Sequence, residues 1–106
     1  SLLVAGLDAY FKGDYEGALE ENKKVLSRYP DRAPGDEALF NIGLIYAHYG
    51  NPQKDYNKAF SFFWRLLKEF PQSLRTEEAK VWTGVLNAIE ERKIKYISGE
   101  LPLVPK

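Results

Sequence analysis

Three pairs of adjacent glutamates, Glu20/Glu21, Glu77/Glu78 and Glu90/Glu91, and a single histidine, His48, are the side chains best suited to acid–base chemistry. Two carboxylates that share a reaction must converge on it with their pKa values driven apart. Neighbours in sequence on a helix instead point about 100° apart, and Glu77/Glu78 stand where a first helical turn favours negative charge. The pairs therefore read as solvated helix surface. Nucleophilic catalysis needs a nucleophile, a base and a group that orients the base. Cysteine is absent, and Ser1, Ser27, Ser61, Ser73 and Ser98 have no elbow-like context. The stretch "AHYGNPQKD" around His48 offers one imidazole where an ordinary metal site gathers several ligands. No glycine-rich phosphate loop occurs. The sequence thus points to no catalytic residue, no metal and no cofactor. His48 is expected as a partly exposed helix residue near a turn, or as a contact for a partner.

A chain of 106 residues fits one domain or a short array of repeats, and 44% hydrophobic with 14% aromatic content is that of a folded chain. Fifteen basic residues cancel fifteen acidic ones, so no overall field draws the protein to nucleic acid. The basic run "ERKIKY" at 91–96 is too small to change that and reads as a solvated helix face. No apolar run approaches the roughly 20 residues of a membrane span. The start "SLLVAGLDAYFKGD" lacks a basic flank and a cleavage site. With no Met at all, the chain reads as a mature or excised piece, in which a removed signal or lipid anchor would be invisible.

The elements come from a repetition. "DYEGALEENKKVLSRYP" at 14–30 returns as "DYNKAFSFFWRLLKEFP" at 55–71, with Asp14/Asp55, Tyr15/Tyr56, Ala18/Ala59, Leu26/Leu67 and Pro30/Pro71 identical. In the second copy Tyr56, Ala59, Phe60, Phe63, Leu66, Leu67 and Phe70 lay one apolar stripe along a helix. In the first copy Asn22 stands in the place of Phe63. The aspartates sit at N-cap positions, and the prolines follow the last turns. A preceding helix also recurs, as "SLLVAGLDAYFKG", "ALFNIGLIYAHYG" and "AKVWTGVLNAIEE", with Gly6, Gly43 and Gly84 in register. Each mid-helix glycine costs about 1 kcal/mol against alanine, and close helix packing would repay it. Gly6 is expected to face Ala18, and Gly43 to face Ala59. The shifts from 14 to 55 and from 36 to 77 are both 41, whereas 6 to 43 is 37. The extra four residues are "NPQK" in the second hairpin turn, where loop extension costs little. Five helices follow, at about 1–12, 14–29, 36–49, 55–70 and 76–96.

Helix pairs of this length, with glycine and tyrosine in the first helix, "GDY…A" at the turn and a closing proline, resemble tetratricopeptide repeats. Gly6, Gly13, Tyr15, Ala18 and Pro30 carry the likeness in the first repeat. Leu39, Gly43, Tyr46, Gly50, Tyr56, Ala59, Phe63 and Pro71 carry it in the second, and "EEAKVWTG" opens a third that gains no second helix. The long connectors "YPDRAPGDEALFNIG" and "FPQSLRTEEAKVWTG" are similar to those of the subgroup in bacterial outer-membrane assembly lipoproteins and Tol–Pal coordinators. That resemblance implies a periplasmic or outer-membrane-associated protein, with the cytoplasm as the alternative. It also implies an all-α fold, a right-handed α-solenoid of antiparallel hairpins with repeats at about 1–32 and 36–73, a half repeat at 76–96 within a single domain 1–97, and an extended tail at 98–106. The first repeat, with Ala9 where the second has Tyr46, is either a terminal cap or one that lost a neighbour.

In such a superhelix the first helix of each pair lines the concave face. Carried over, this places Leu3, Leu7, Tyr10 and Phe11, then Phe40, Asn41, Leu44 and His48, then Val81, Trp82, Val85 and Ile89 along a groove. About half of these are expected to be open to a ligand. Family members that clamp a C-terminal carboxylate use Lys, Arg and Asn at set positions, where this chain has Leu3, Leu7, Glu78 and Trp82, and only Asn41 agrees. The expected ligand is therefore a helix or extended apolar segment of a protein or peptide. The fifth helix is left with apolar surface, and the tail "YISGELPLVPK" either folds over it, reaches a neighbouring molecule, or frays. Phe62 and Trp64 flank the stripe of the fourth helix, as packing of an internal helix or as an outer patch. These expectations define a non-catalytic interaction adaptor, with a self-associating homodimer module as the alternative.

Overall fold

A computed structural model of the chain describes residue 6 and residues 9–100. Leu3, Leu7 and the end of the tail, expected to contribute to the groove and its cover, lie outside the described residues. The first helix, α1, is described at residues 6 and 9–11. It is followed by α2 (Tyr15–Arg28), α3 (Gly35–Ala47), α4 (Tyr56–Glu69) and α5 (Thr76–Ser98). The described residues contain no strand. Among α2 to α5, the extensive packing runs between consecutive helices, as in a solenoid where each element buries its face against its neighbours.

The local signals act where the sequence places them. Asp14 Oδ1 accepts the Gly17 N–H at 2.9 Å, and Asp55 Oδ1 accepts the Lys58 N–H at 3.0 Å. Each satisfies a donor that the first turn leaves unpaired. At the other ends, the Tyr29 and Phe70 N–H groups return to the Val25 and Leu66 carbonyls just before Pro30 and Pro71. Helices α3 and α5 have no side-chain cap, and carry Asp36/Glu37 and Glu77/Glu78 in their first turns instead. Arg75 joins these two starts. Its Nε lies 3.0 Å from both oxygens of Glu37, one terminal nitrogen donates to Glu78 at 2.8 Å, and the guanidinium covers the Phe40 ring at 5.1 Å.

Helix α3 ends at Ala47, two residues earlier than expected, because His48 turns extended with φ −67° and ψ 125°. The inserted "NPQK" does more than lengthen a loop. Asn51 is buried, donates to the Ile45 carbonyl at 2.9 Å and accepts from the Gln53 N–H. It thereby gives a helix-terminal carbonyl a second donor beside the His48 N–H.

The core lies along α3 and α4, with Leu39, Ile42, Ala59, Phe63 and Leu66 fully buried. The glycines do face the second helix of each pair, one turn beyond the expected alanines. A Cβ on Gly43 would stand 2.7 Å from the Phe63 ring, and one on Gly6 would run into the Asn22 side chain. The expectation of small residue against small residue is corrected: the gap left by each glycine receives a larger side chain of the facing helix, Asn22 for Gly6 and Phe63 for Gly43. Among the described residues, Gly84 meets nothing within 4 Å.

The same 41-residue shift relates the two seams between repeats. Asn41 Nδ2 donates to Asn22 Oδ1 at 3.0 Å, and Asn22 Nδ2 to the Ala18 carbonyl at 2.8 Å. At the corresponding positions Trp82 stacks on Phe63, with centroids 5.6 Å apart and planes at 8°. The Asn22 that stands in the place of Phe63 is therefore a satisfied polar contact. Its partner, Asn41, lies on the first helix of the next repeat.

Candidate functional site

The last turn of α1 brings Tyr10 and Phe11 over the seam between α2 and α3. Gly6 permits the approach, since any side chain there would meet Asn22. What remains between the three helices is a cavity of about 180 Å³ lined by Gly6, Tyr10, Phe11, Asn22, Asn41, Leu44 and Ile45. Its walls are largely apolar, and its lining residues bring the two buried asparagine amides and the Tyr10 phenol as polar groups. Such a cavity suits an apolar side chain, with the amide pair beside it as the polar feature that orients a ligand.

An aromatic cluster lies alongside. The His48 ring stands edge-on to Tyr10 at 5.5 Å and stacks on Tyr49 at 5.0 Å. His48 Nδ1 accepts the Gly50 N–H at 2.9 Å and lies 3.1 Å from the Tyr15 hydroxyl. Accepting from a main-chain N–H fixes Nδ1 without a proton, so in the neutral ring the proton sits on Nε2 and Tyr15 is the donor. Burial, and secondly the neighbouring Tyr15, push the Tyr10 phenol above its ordinary value.

Of the twelve expected groove residues, Tyr10, Phe11, Asn41 and Leu44 converge on this cavity. His48 stands in the cluster beside it. Phe40 does not line a groove: it is 4% exposed, edge-on to Phe63 at 5.5 Å and covered by Arg75. Trp82 is half-buried against Phe63. Val81, Val85 and Ile89 are exposed on α5, outside the cavity lining. Phe62 and Trp64 do not form one patch. Phe62 stacks on Tyr46 at 5.9 Å, whereas Trp64 lies on Phe60 at 6.2 Å with Lys68 over its ring.

Asn22 and Ile45 are site residues that the sequence did not single out. The signal for Asn22 was present, as a polar residue in a stripe where the other copy has Phe63. A buried amide in such a place requires a partner. Among the described residues no three His, Cys, Asp or Glu side chains gather in a way that could hold a metal ion. No described helix is long and apolar enough to cross a membrane.

Residues 37–73 match the family model of the tetratricopeptide repeat. The matched segment contains α4 and nearly all of α3, the hairpin whose seam is Gly43 on Phe63. The match supports the tetratricopeptide repeat family, and with it a general role in protein–protein interaction. That family is generally non-catalytic. No curated protein and no solved structure matches the chain.

Proposed function

We propose that the chain is a non-catalytic adaptor that holds a segment of a partner protein in the cavity between α1, α2 and α3, within a bacterial envelope complex at the periplasm or outer membrane. The observation that carries the binding site is the cavity itself: apolar walls, an amide pair at one side, and Phe11, 80% exposed, at its rim. An apolar anchor residue of the partner enters it, and Asn41 bonds the neighbouring main chain. The connectors "YPDRAPGDEALFNIG" and "FPQSLRTEEAKVWTG" support the envelope setting through their similarity to that subgroup of repeats.

A random peptide library displayed against the immobilised chain tests the site. Selected peptides should share one apolar anchor, and Phe11→Ala and Leu44→Glu should each weaken them about tenfold or more, since truncating a central contact typically costs that much. Far-UV circular dichroism checks that both variants are folded. Peptides that bind both folded variants as well as the parent chain would remove the cavity from consideration. For the compartment, tagged chain should retain partner proteins from a periplasmic extract rather than a cytoplasmic one. The opposite pattern would remove the envelope setting.

A further inference from the structure

The 41-residue shift carries Phe40 and Gly43 of α3 onto Val81 and Gly84 of α5. On α3 that face is covered, with the Phe63 ring on Gly43 and against Phe40. On α5 it is bare among the described residues: none of them approaches Gly84 within 4 Å, and Val81 and Val85 are 66% and 46% exposed. Helix α5 is also the longest, at 23 residues against 14 for α4. Its last buried residue is Leu86, so the stretch 87–98 runs on for about 18 Å at the usual rise per residue. A helical segment without tertiary packing is marginal in water.

The order of residues along the bare face says what would cover it. Glu78, Val81, Val85, Ala88, Arg92 and Lys95 follow one another at intervals of three, four, three, four and three, which keeps them on one stripe. The intervals read the same in either direction, but the charges do not: the stripe begins acidic and ends basic. From this we propose that α5 pairs with α5 of a second copy, antiparallel about a two-fold axis between residues 86 and 87.

Turning a copy end for end sets Val85 against Ala88, the stem of Arg92 against Val81, and Glu78 against Lys95, each twice by symmetry. Gly84 lets the backbones come close, and the opposed helix dipoles are favourable. A parallel pairing would place like charges together. Glu78 uses one carboxylate oxygen on Arg75 and keeps a 55% exposed side chain, so it is available to both cations. Ile94 and Ile97 lie on the other side of α5 and take no part. The occupant is a second copy because a stripe that complements itself only after reversal has its best match in its own sequence.

Sedimentation equilibrium of the 106-residue chain from about 5 to about 500 μM tests this. A monomer–dimer equilibrium is expected. Val85→Glu should abolish the dimer while leaving the circular dichroism of the monomer unchanged. Glu78→Lys and Lys95→Glu should each weaken self-association about tenfold or more, because each turns two attractive pairs into repulsive ones. An equimolar mixture of those two variants should associate more tightly than either alone, with opposite charges restored at both ends. A monomer at every concentration, a larger assembly, an undiminished Val85→Glu dimer, or a mixture no tighter than its components would overturn the pairing.

Discussion

Gly43→Ala and Gly84→Ala are the same substitution at corresponding points of two repeats, and the structure gives them opposite signs. In a helix interior the change from glycine to alanine stabilises by about 1 kcal/mol through propensity alone. At Gly84 nothing lies within 4 Å of the new methyl group, so about 1 kcal/mol of stabilisation is expected. At Gly43 the methyl would stand 2.7 Å from two atoms of the Phe63 ring and 2.9 Å from a third. That ring is fully buried and held between Phe40 and Trp82, so it has no direction in which to yield. Overpacking of this kind costs about 3 kcal/mol at the upper end of its usual range, leaving a net loss of about 2. The two variants should differ by about 3 kcal/mol. With a urea slope of about 1–3 kcal/mol per molar, this separates their midpoints by at least about 1 M. Urea titration at low micromolar concentration, followed by circular dichroism and by fluorescence of Trp64 and Trp82, reads it while keeping association small. Shifts of the same sign and similar size would refute the assignment of Gly43 to a filled seam and of Gly84 to an empty one.

The other expectations concern the first seam. Asn22→Ala removes the acceptor of the buried Asn41 amide and should cost about 1–3 kcal/mol in the same titration, the penalty for stranding a buried polar group. Because the folded state holds the Tyr10 proton above its ordinary pKa, unfolding releases that proton as pH rises past about 10. The urea midpoint should therefore fall between about pH 9 and 11, and fall less in Tyr10→Phe, whereas equal losses would assign the decline elsewhere.

The helices were legible because their signals are local. Asp14 and Asp55 cap α2 and α4 as their side-chain type requires, and the apolar stripe of 56–70 selects the face that α4 buries. What faces what across a seam was not legible. The alanines matched the glycines in size and suggested close backbone contact, yet a hole next to a helix is filled by whichever facing side chain reaches it, and Phe63 reaches further than Ala59. Phe40 was misplaced for a related reason. Its position on the first helix of a pair suggested a groove, and only the folded connector shows Arg75 laid over its ring. The cavity combines both cases: Tyr10, Phe11 and Leu44 carried apolar character visible in the sequence. The amide pair depends on two residues 19 apart whose meeting needs the fold.

The two junctions between hairpins are built from different materials, amide on amide at one and ring on ring at the other. A linear array of this kind loses cooperativity wherever a joint is weaker than the units it joins. The directional amide contact fails once its geometry slips, while the broad stacked rings tolerate some sliding. Of the two joints the amide one, between α2 and α3, is thus the less tolerant of sliding, and it is the one that borders the cavity. Occupying that cavity would then clamp this joint, so capture of a segment and tightening of the array would be one event.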